Sequence, residues 1–260
     1  DMVYPGYADA SYFHDERGFL TPTPYGDSVD CLLSDAEPWI LSQYPLIVIA
    51  GKLHPSAELQ DKLEQYVARG GTLIITAENL RRLPETFCGI EIESTAKRFD
   101  AHQRIHVSKT TIEEQHSFEA YPIKSHDKKT AVLASLGGIP LCVERQHGNG
   151  TVIAFATPFG LNAETLLNQI PNDTDKPLRR PYAMLQHVRF ILDDIFKRFT
   201  LFDVGNDLSL IVCRKEKNKY ILGIINNHWG PRPFSIRSRC GEIQSVEELT
   251  LDTSERSAVG

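Results

Sequence analysis

The first residues whose types could do chemistry lie near the start of the chain. The run His14-Asp15-Glu16-Arg17 places an imidazole, two carboxylates and a guanidinium side by side, and general acid–base catalysis uses such side chains. The surrounding segment 1–28 is rich in Tyr, Pro, Gly and Asp, which predicts a long loop rather than a helix. Long loops in compact domains often carry function. We interpret the run as a solvated turn, with a hydrolase site in this loop as the alternative.

Neither a metal site nor a reactive thiol is expected. Four successive histidines are spaced by 4, 10 and 10 residues, which matches no metal-ligand pattern; they are His102, His106, His116 and His126. The five cysteines include no CxxC pair, and three of them lie in apolar runs that predict small buried thiols: Cys31, Cys142 and Cys213. We therefore expect no metal and no cofactor.

Other catalytic motifs are missing or have simpler explanations. The sequence contains no GxSxG. Gly148-Asn149-Gly150 predicts a turn, because no helix follows it to complete a phosphate-binding loop. Asp193-Asp194 could be imagined as an acid–base pair, but both fall on the polar side of a predicted helix, where a solvated face is expected.

Composition narrows the classes of partner. The chain has 260 residues, 41% of them hydrophobic and 24% charged, as in ordinary globular proteins. A net charge of −6 and the lack of any basic run longer than a pair argue against nucleic acid. No apolar segment approaches the roughly 20 residues of a membrane span. The chain begins Asp1-Met2, which indicates an excised piece or a mature product and leaves its compartment open.

Residues 45–79 predict a strand, a helix and a second strand. Residues 46–50 and 73–76 are runs of the kind that parallel sheets bury on both faces. Between them, apolar residues recur at helical spacing: Leu59, Leu63, Tyr66 and Val67. Gly70-Gly71 ends the helix, because glycine reaches the left-handed conformation without steric cost. The order predicts a right-handed parallel crossover.

The other elements are read from the same signals. They are a strand at 29–33, a helix at 34–43 with a Ser34–Glu37 capping box, a helical turn at 78–82, an edge strand at 90–93, a strand at 104–107, a hairpin of 131–134 with 139–143, a strand at 151–155 and a long helix at 182–199.

The pattern changes after Thr200. Strands at 208–213, 220–225, 234–236 and 246–249 are separated by turns rather than helices, which is typical of antiparallel β structure. We predict two domains, residues 1–202 and 203–260. The predicted fold class is α/β, a mostly parallel sheet with flanking helices, followed by a small antiparallel β-sandwich.

The order of elements over residues 30–240 resembles a known family. The resemblance rests on the run 44–50, the segment 63–76 with Gly70-Gly71, the segment 148–155, the long helix and the all-β tail. The α/β part resembles the class I glutamine amidotransferase-like fold. With the tail, it is similar to the non-barrel part of the β-galactosidases of glycoside hydrolase family 42.

The resemblance indicates where catalysis would occur. Active amidotransferase-like domains place a cysteine on the sharp turn after the strand that here is 73–76, and a His-Pro-Glu sequence after the last core strand. The turn here reads Ala77-Glu78-Asn79, and the later strand leads to Thr157-Pro158-Phe159. A triad needs all three roles. The resemblance therefore implies that the elbow at Ala77, Glu78 and Asn79 and the base position at Thr157 and Phe159 are degenerate.

The resemblance implies an accessory role in packing and oligomerisation within a larger carbohydrate-active enzyme. Its expected partners are an upstream catalytic domain of the same protein and further copies, as in the trimers of that family. The candidate ligand is carbohydrate, because aromatic faces suit sugar rings, and the candidate contacts are Tyr7, Tyr12, His14, Asp15, Arg17 and Tyr25. A stand-alone sugar- or protein-binding module, and a hydrolase with a site in residues 1–28, remain alternatives.

Overall fold

The computed structural model describes residues 30, 32–49, 52–53, 55–84, 87–124, 129–160, 184–204, 209–225, 230–231 and 233–249. The helices within these residues are α1 (Pro38–Leu41), α2 (Ala57–Ala68), α3 (Ala77–Leu80) and α4 (Gln186–Phe199). The strands are β1 (Leu46–Ile49), β2 (Thr72–Thr76), β3 (Glu91–Ile92), β4 (Lys97–Phe99), β5 (Gln103–Val107), β6 (Thr110–Glu114), β7 (Phe118–Ala120), β8 (Ile123–Lys124), β9 (Thr130–Leu136), β10 (Ile139–His147), β11 (Gly150–Phe155), β12 (Phe202–Asp203), β13 (Ser209–Glu216), β14 (Lys219–Ile225) and β15 (Arg237–Ser238).

Seven strands form one sheet in the order β1-β2-β11-β10-β9-β5-β6. β1, β2 and β11 are parallel neighbours, and α2 connects β1 to β2 as the sequence predicts. Ser56 caps α2, its Oγ accepting a hydrogen bond from the Leu59 amide at 3.1 Å. β2 is covered on both faces, and three of its side chains are fully buried: Leu73, Ile74 and Ile75. β1 is the edge strand, so Leu46, Ile47 and Val48 are only partly buried.

The turn between β10 and β11 rests on the end of α2. The Asn149 amide donates to the carbonyl oxygen of Ala68 at 2.9 Å. Gly150 has no room for a Cβ, because the carbonyl oxygens of Val67 and Gly71 lie against it. This close approach requires glycine at 150 and holds β11 beside β2.

The predicted mostly parallel sheet is wrong, because the sheet is mixed. β10 is antiparallel to β11, β9 to β10, β5 to β9, and β6 to β5. A short turn can only join antiparallel strands. The hairpin predicted at Gly137-Gly138 is formed by β9 and β10, and it belongs to the same sheet as the parallel strands, next to β11.

Helix α4 covers the antiparallel half of the sheet, where it contacts β5 and β6. Its apolar stripe is buried there: Val188, Ile191, Leu192 and Ile195. The two sides of the sheet belong to one continuous core. No helix in the described part of the chain is long and apolar enough to cross a membrane.

Two local predictions before β1 are wrong. Asp30, Leu32 and Leu33, the described residues of the predicted strand 29–33, lie outside any strand. The helix predicted for 34–43 is only α1, which begins at Pro38 with Glu37 as its N-cap. A residue before proline is disfavoured in the helical conformation, so the Ser34–Glu37 capping box does not form.

The C-terminal part is less regular than predicted. β13 and β14 form a hairpin, and β12 pairs with β15. Among the described residues, 234–236 and 246–249 are not strands, and no two-layer sandwich is formed. The proposed domain boundary near residue 202 stays a prediction.

Candidate functional site

The carboxyl ends of the parallel strands meet at one edge of the sheet, which we call the strand-end edge (residues 52–53, 76–82 and 156–158). Open α/β sheets bind their ligands at such edges. β2 ends at Thr76 and α3 begins at Ala77. The structure therefore brings the predicted elbow residues Ala77, Glu78 and Asn79 to this edge.

The backbone N–H groups of this turn already have partners. The Ala77 amide donates to the carbonyl oxygen of Thr157 at 3.1 Å, and the Glu78 amide donates to that of Pro158 at 3.4 Å. An oxyanion hole needs donors aimed at the reacting oxygen. Here the same donors join α3 to the loop after β11, so they are not available to a developing oxyanion.

The polar side chains of the turn are also bound within the chain. Glu78 Oε1 accepts hydrogen bonds from Arg82 at 2.7 and 3.2 Å, and Lys52 Nζ lies 3.9 Å from the same oxygen. Asn79 is buried, and its Oδ1 accepts from the Leu53 amide at 2.9 Å. Glu78 therefore pairs within its own helical turn, while Asn79 links α3 to the segment after β1.

The predicted base position offers no base. Thr157 is fully buried, and its hydroxyl has no partner among the described residues; the same holds for the Thr76 hydroxyl. A threonine hydroxyl does not titrate near neutral pH. Phe159 contributes a partly buried phenyl ring. Neither Thr157 nor Phe159 can accept the proton of a nucleophile.

A second cluster, a buried Glu114–His187 pair, was missed by the sequence analysis. Both side chains are completely buried, and His187 Nδ1 lies 2.8 Å from Glu114 Oε2. The His187 amide donates to the same oxygen at 3.3 Å. His187 is in the first turn of α4, where the helix dipole favours a carboxylate. The ring of Phe118 packs against the imidazole, with 5.4 Å between the two ring centroids.

The Glu114–His187 pair joins the edge strand β6 to α4. A carboxylate only accepts hydrogen bonds, so Nδ1 carries the hydrogen of this contact when Glu114 is ionised. Glu114 Oε1 and His187 Nε2 have no partner within the described ranges. Since both side chains have no solvent exposure, the pair is placed to hold the sheet to the helix rather than to meet a substrate.

The sequence carried a weak signal for this pair. In β6, Ile112 and Glu114 share one face by strand alternation, which puts a carboxylate on the core side. His187 and Ile191 are four apart in α4 and share its buried stripe. A glutamate and a histidine on two core-facing stripes indicate a buried polar pair.

The cysteines divide into two classes. Burial raises the pKa of Cys88 to about 12, with the Glu64 charge adding to the rise and Arg145 opposing it. Burial also raises the pKa of Cys142 well above its ordinary value. Reactivity belongs to the thiolate, so both are inert near neutral pH. The prediction that Cys213 is buried is wrong, because it is exposed; it lies on the outer side of the β13–β14 hairpin.

The remaining candidates do not assemble into a site. His102 pairs with Glu113 at 3.0 Å, and His106 with Thr111 at 3.0 Å, both on the surface. The described residues contain no group of three or more potential metal ligands. His126, Cys31 and the candidate sugar contacts lie outside the described residues; the sugar contacts are Tyr7, Tyr12, His14, Asp15, Arg17 and Tyr25.

Asp193 differs from the solvated carboxylate that was predicted. It is only partly exposed, and its Oδ1 is buried without a partner in the described part of the chain. Burial raises its pKa, while the charges of Arg189 and Lys197 oppose the rise. Asp194 behaves as predicted, pairing on the surface with Arg198 at 3.0 Å.

No family model and no curated protein matches this sequence. Solved structures do match. Gan42B, a β-galactosidase of glycoside hydrolase family 42 from G. stearothermophilus, is 16% identical with a TM-score of 0.56. The match covers 90% of this chain and 32% of that one. The fold resembles part of a family 42 β-galactosidase.

A second β-galactosidase, from Bacillus circulans sp. alkalophilus, is 15% identical over 78% of this chain and 30% of its own, with a TM-score of 0.49. The chain thus spans about a third of the length of the proteins it resembles. The expected likeness to family 42 is confirmed at the level of fold, and the amidotransferase-like assignment stays a prediction.

Proposed function

We propose that this chain is a non-catalytic accessory region of a larger glycoside hydrolase, where it serves packing and oligomer contacts. The fold likeness to part of Gan42B supports a place beside a catalytic domain. The partner is then the catalytic domain of the same polypeptide, together with further copies of the protein.

The observation that carries the proposal is the closure of the strand-end edge. Two backbone donors at 77 and 78 are bonded to the loop after β11, and the Glu78 carboxylate is paired with Arg82 and Lys52. Catalysis of acyl transfer needs a nucleophile, a base and free donors at one place. An edge whose charged side chains and turn amides are already paired is suited to rigidity rather than to turnover.

The test is made on the full-length protein that contains this chain. We expect it to hydrolyse an aryl β-galactoside and to be oligomeric at micromolar concentration by light scattering. The variant Glu78→Gln keeps kcat/KM within about twofold, because Glu78 pairs with Lys52 and Arg82 and takes no part in the chemistry, and because loss of such a pair alters stability by only about 0–1 kcal/mol. A full-length protein with no glycosidase activity, or a Glu78→Gln variant whose kcat collapses while its fold persists, would contradict the proposal.

A further inference from the structure

The β13–β14 hairpin has one face packed and one face open. Tyr220 lies on the packed face, where its ring meets Phe202 edge-on at 5.1 Å between centroids. On the opposite face, Ile221 lies across from Cys213 in the register. Ile221 and Ile225 are 43% and 38% exposed. A polar residue is expected at such positions when a hairpin face meets water.

The segment after the hairpin also exposes large apolar side chains. Within residues 233–249, Phe234 is 51%, Ile243 40%, Val246 48% and Leu249 71% exposed. The segment is held to the rest of the chain through β15, which pairs with β12, and through the Arg239 amide, which donates to the Leu201 carbonyl at 2.8 Å. Its sequence has the pattern of strands at 234–236 and 246–249, yet neither range forms a strand, and Glu247 makes only an isolated β-bridge.

These two stretches define what we call the C-terminal surface: Ile221, Ile225, Phe234, Ile243, Val246 and Leu249. Six of the eleven large hydrophobic residues that are exposed in the described part of the chain fall within residues 221–249. Such concentrations of exposed apolar residues mark contact sites, and a two-stranded hairpin is marginally stable without further packing. Among the described strands, β13 and β14 pair only with each other.

We propose that the C-terminal surface is where this chain docks onto the remaining part of the longer polypeptide, an inference that rests on the proposed function. The charge pattern supports this occupant over a second copy of the chain. Arg237, Arg239, Glu242, Glu247 and Glu248 are exposed between the apolar residues. Interfaces between domains of one chain are more polar than those of obligate dimers.

Chain length supports the same occupant. This chain corresponds to 32% of Gan42B, so about two thirds of a polypeptide of that kind lies outside it. A covalently linked partner is present at an effective concentration of about millimolar. Six exposed apolar side chains are sufficient contacts under that condition.

Native thiols report whether the surface is covered. Cys213 and Cys240 are exposed, one on the open face of the hairpin and one in the following segment, whereas Cys88 and Cys142 are buried. Maleimide labelling, resolved by peptide mass spectrometry, is compared between the 260-residue chain and the full-length protein. We expect the labelling rates of Cys213 and Cys240 to be lower by about tenfold or more in the full-length protein, because covered groups react only after local opening. Cys88 and Cys142 stay protected in both.

Substitutions in the full-length protein separate docking from general rigidity. Ile221→Arg and Leu249→Arg place a charge in the contact and are expected to restore fast labelling of Cys213 and Cys240. Lys217→Gln changes an exposed residue of the hairpin turn and should leave the protection intact.

Three results would overturn the inference. One is equal labelling of Cys213 and Cys240 in both proteins. A second is protection that grows with the concentration of the 260-residue chain, which would assign the surface to another copy. The third is protection that Ile221→Arg and Leu249→Arg leave unchanged. Full-length protein that is an active glycosidase with unprotected thiols would sink this inference alone, whereas protected thiols without glycosidase activity would sink only the proposed function.

Discussion

The strand-end edge and the C-terminal surface differ in whether their side chains have partners within the chain. At the edge, the Glu78 carboxylate, the Asn79 amide and the backbone donors of the turn are bound within the chain. At the C-terminal surface, Leu249 is 71% exposed and Ile221 is 43% exposed. Where ligands usually bind, the carboxylate, the amide and the turn donors are thus paired, and the groups without a partner within the described residues are the buried Thr76 and Thr157 hydroxyls, whereas the C-terminal surface exposes large apolar side chains. The difference favours a role in contact over a role in chemistry.

The largest expected effect on stability comes from removing the carboxylate of the Glu114–His187 pair. Glu114→Ala leaves the imidazole of His187 without its partner, which we expect to lower the free energy of unfolding by about 3–5 kcal/mol, the range for breaking a buried pair. Urea denaturation of the 260-residue chain measures it.

The matched control is Glu114→Gln, whose side-chain oxygen still accepts the Nδ1 hydrogen, so its loss should be clearly smaller. Equal losses for the two variants would show that the hydrogen bond to His187 is not what holds β6 to α4.

A pair of truncations contrasts the two regions directly. Ile74 is completely buried in β2, so Ile74→Ala should cost about 2–5 kcal/mol. Leu249→Ala in the same 260-residue chain should change stability by about 0.5 kcal/mol or less, as surface substitutions do. If Leu249→Ala were as costly as Ile74→Ala, the C-terminal surface would already be packed within this chain, and the comparison would fail.

The sequence predicted the parallel core because its signals are local. The apolar runs of β1, β2 and β11, the spacing in α2 and the glycines after it each lie within a short segment. The mixed sheet was not predictable in this way, since pairs such as His106 with Ser135 in β5 and β9 join distant segments.

In the candidate site, too, local features could be predicted from the sequence, whereas contacts between distant segments could not. The absence of a cysteine at Ala77 and of a base at Thr157 is visible in the sequence. Arg82 lies four residues after Glu78, so that pair is visible in the sequence. Lys52 and the carbonyl oxygens of Thr157 and Pro158 become partners only when β1, α3 and β11 are placed together. Glu114 and His187 are separated by 73 residues, and each alone is consistent with an ordinary surface residue.

A smaller effect on stability is expected at alkaline pH, where the buried Cys88 thiol contributes. The pKa of Cys88 is raised to about 12 in the folded chain, against about 8.5 when exposed. The folded state therefore keeps this proton where the unfolded state releases it. The stability contributed by Cys88 is complete below about pH 8.5 and is lost as the pH rises towards 12.

Cys88→Ala removes that contribution, so its free energy of unfolding should fall less steeply between pH 9 and 11 than that of the unmodified chain. Parallel curves for the two proteins would show that the Cys88 thiol is already ionised, or already accessible, in the folded state.

The most direct test of a non-catalytic role is hydrolysis by the purified 260-residue chain, with circular dichroism to show that it is folded. Glutamine, a general peptide substrate and an aryl β-galactoside are supplied in turn. We expect background rates for all three substrates and no effect of a thiol-reactive inhibitor. Turnover of any of them that Glu78→Gln or a cysteine substitution abolishes, with the fold retained, would contradict a non-catalytic role.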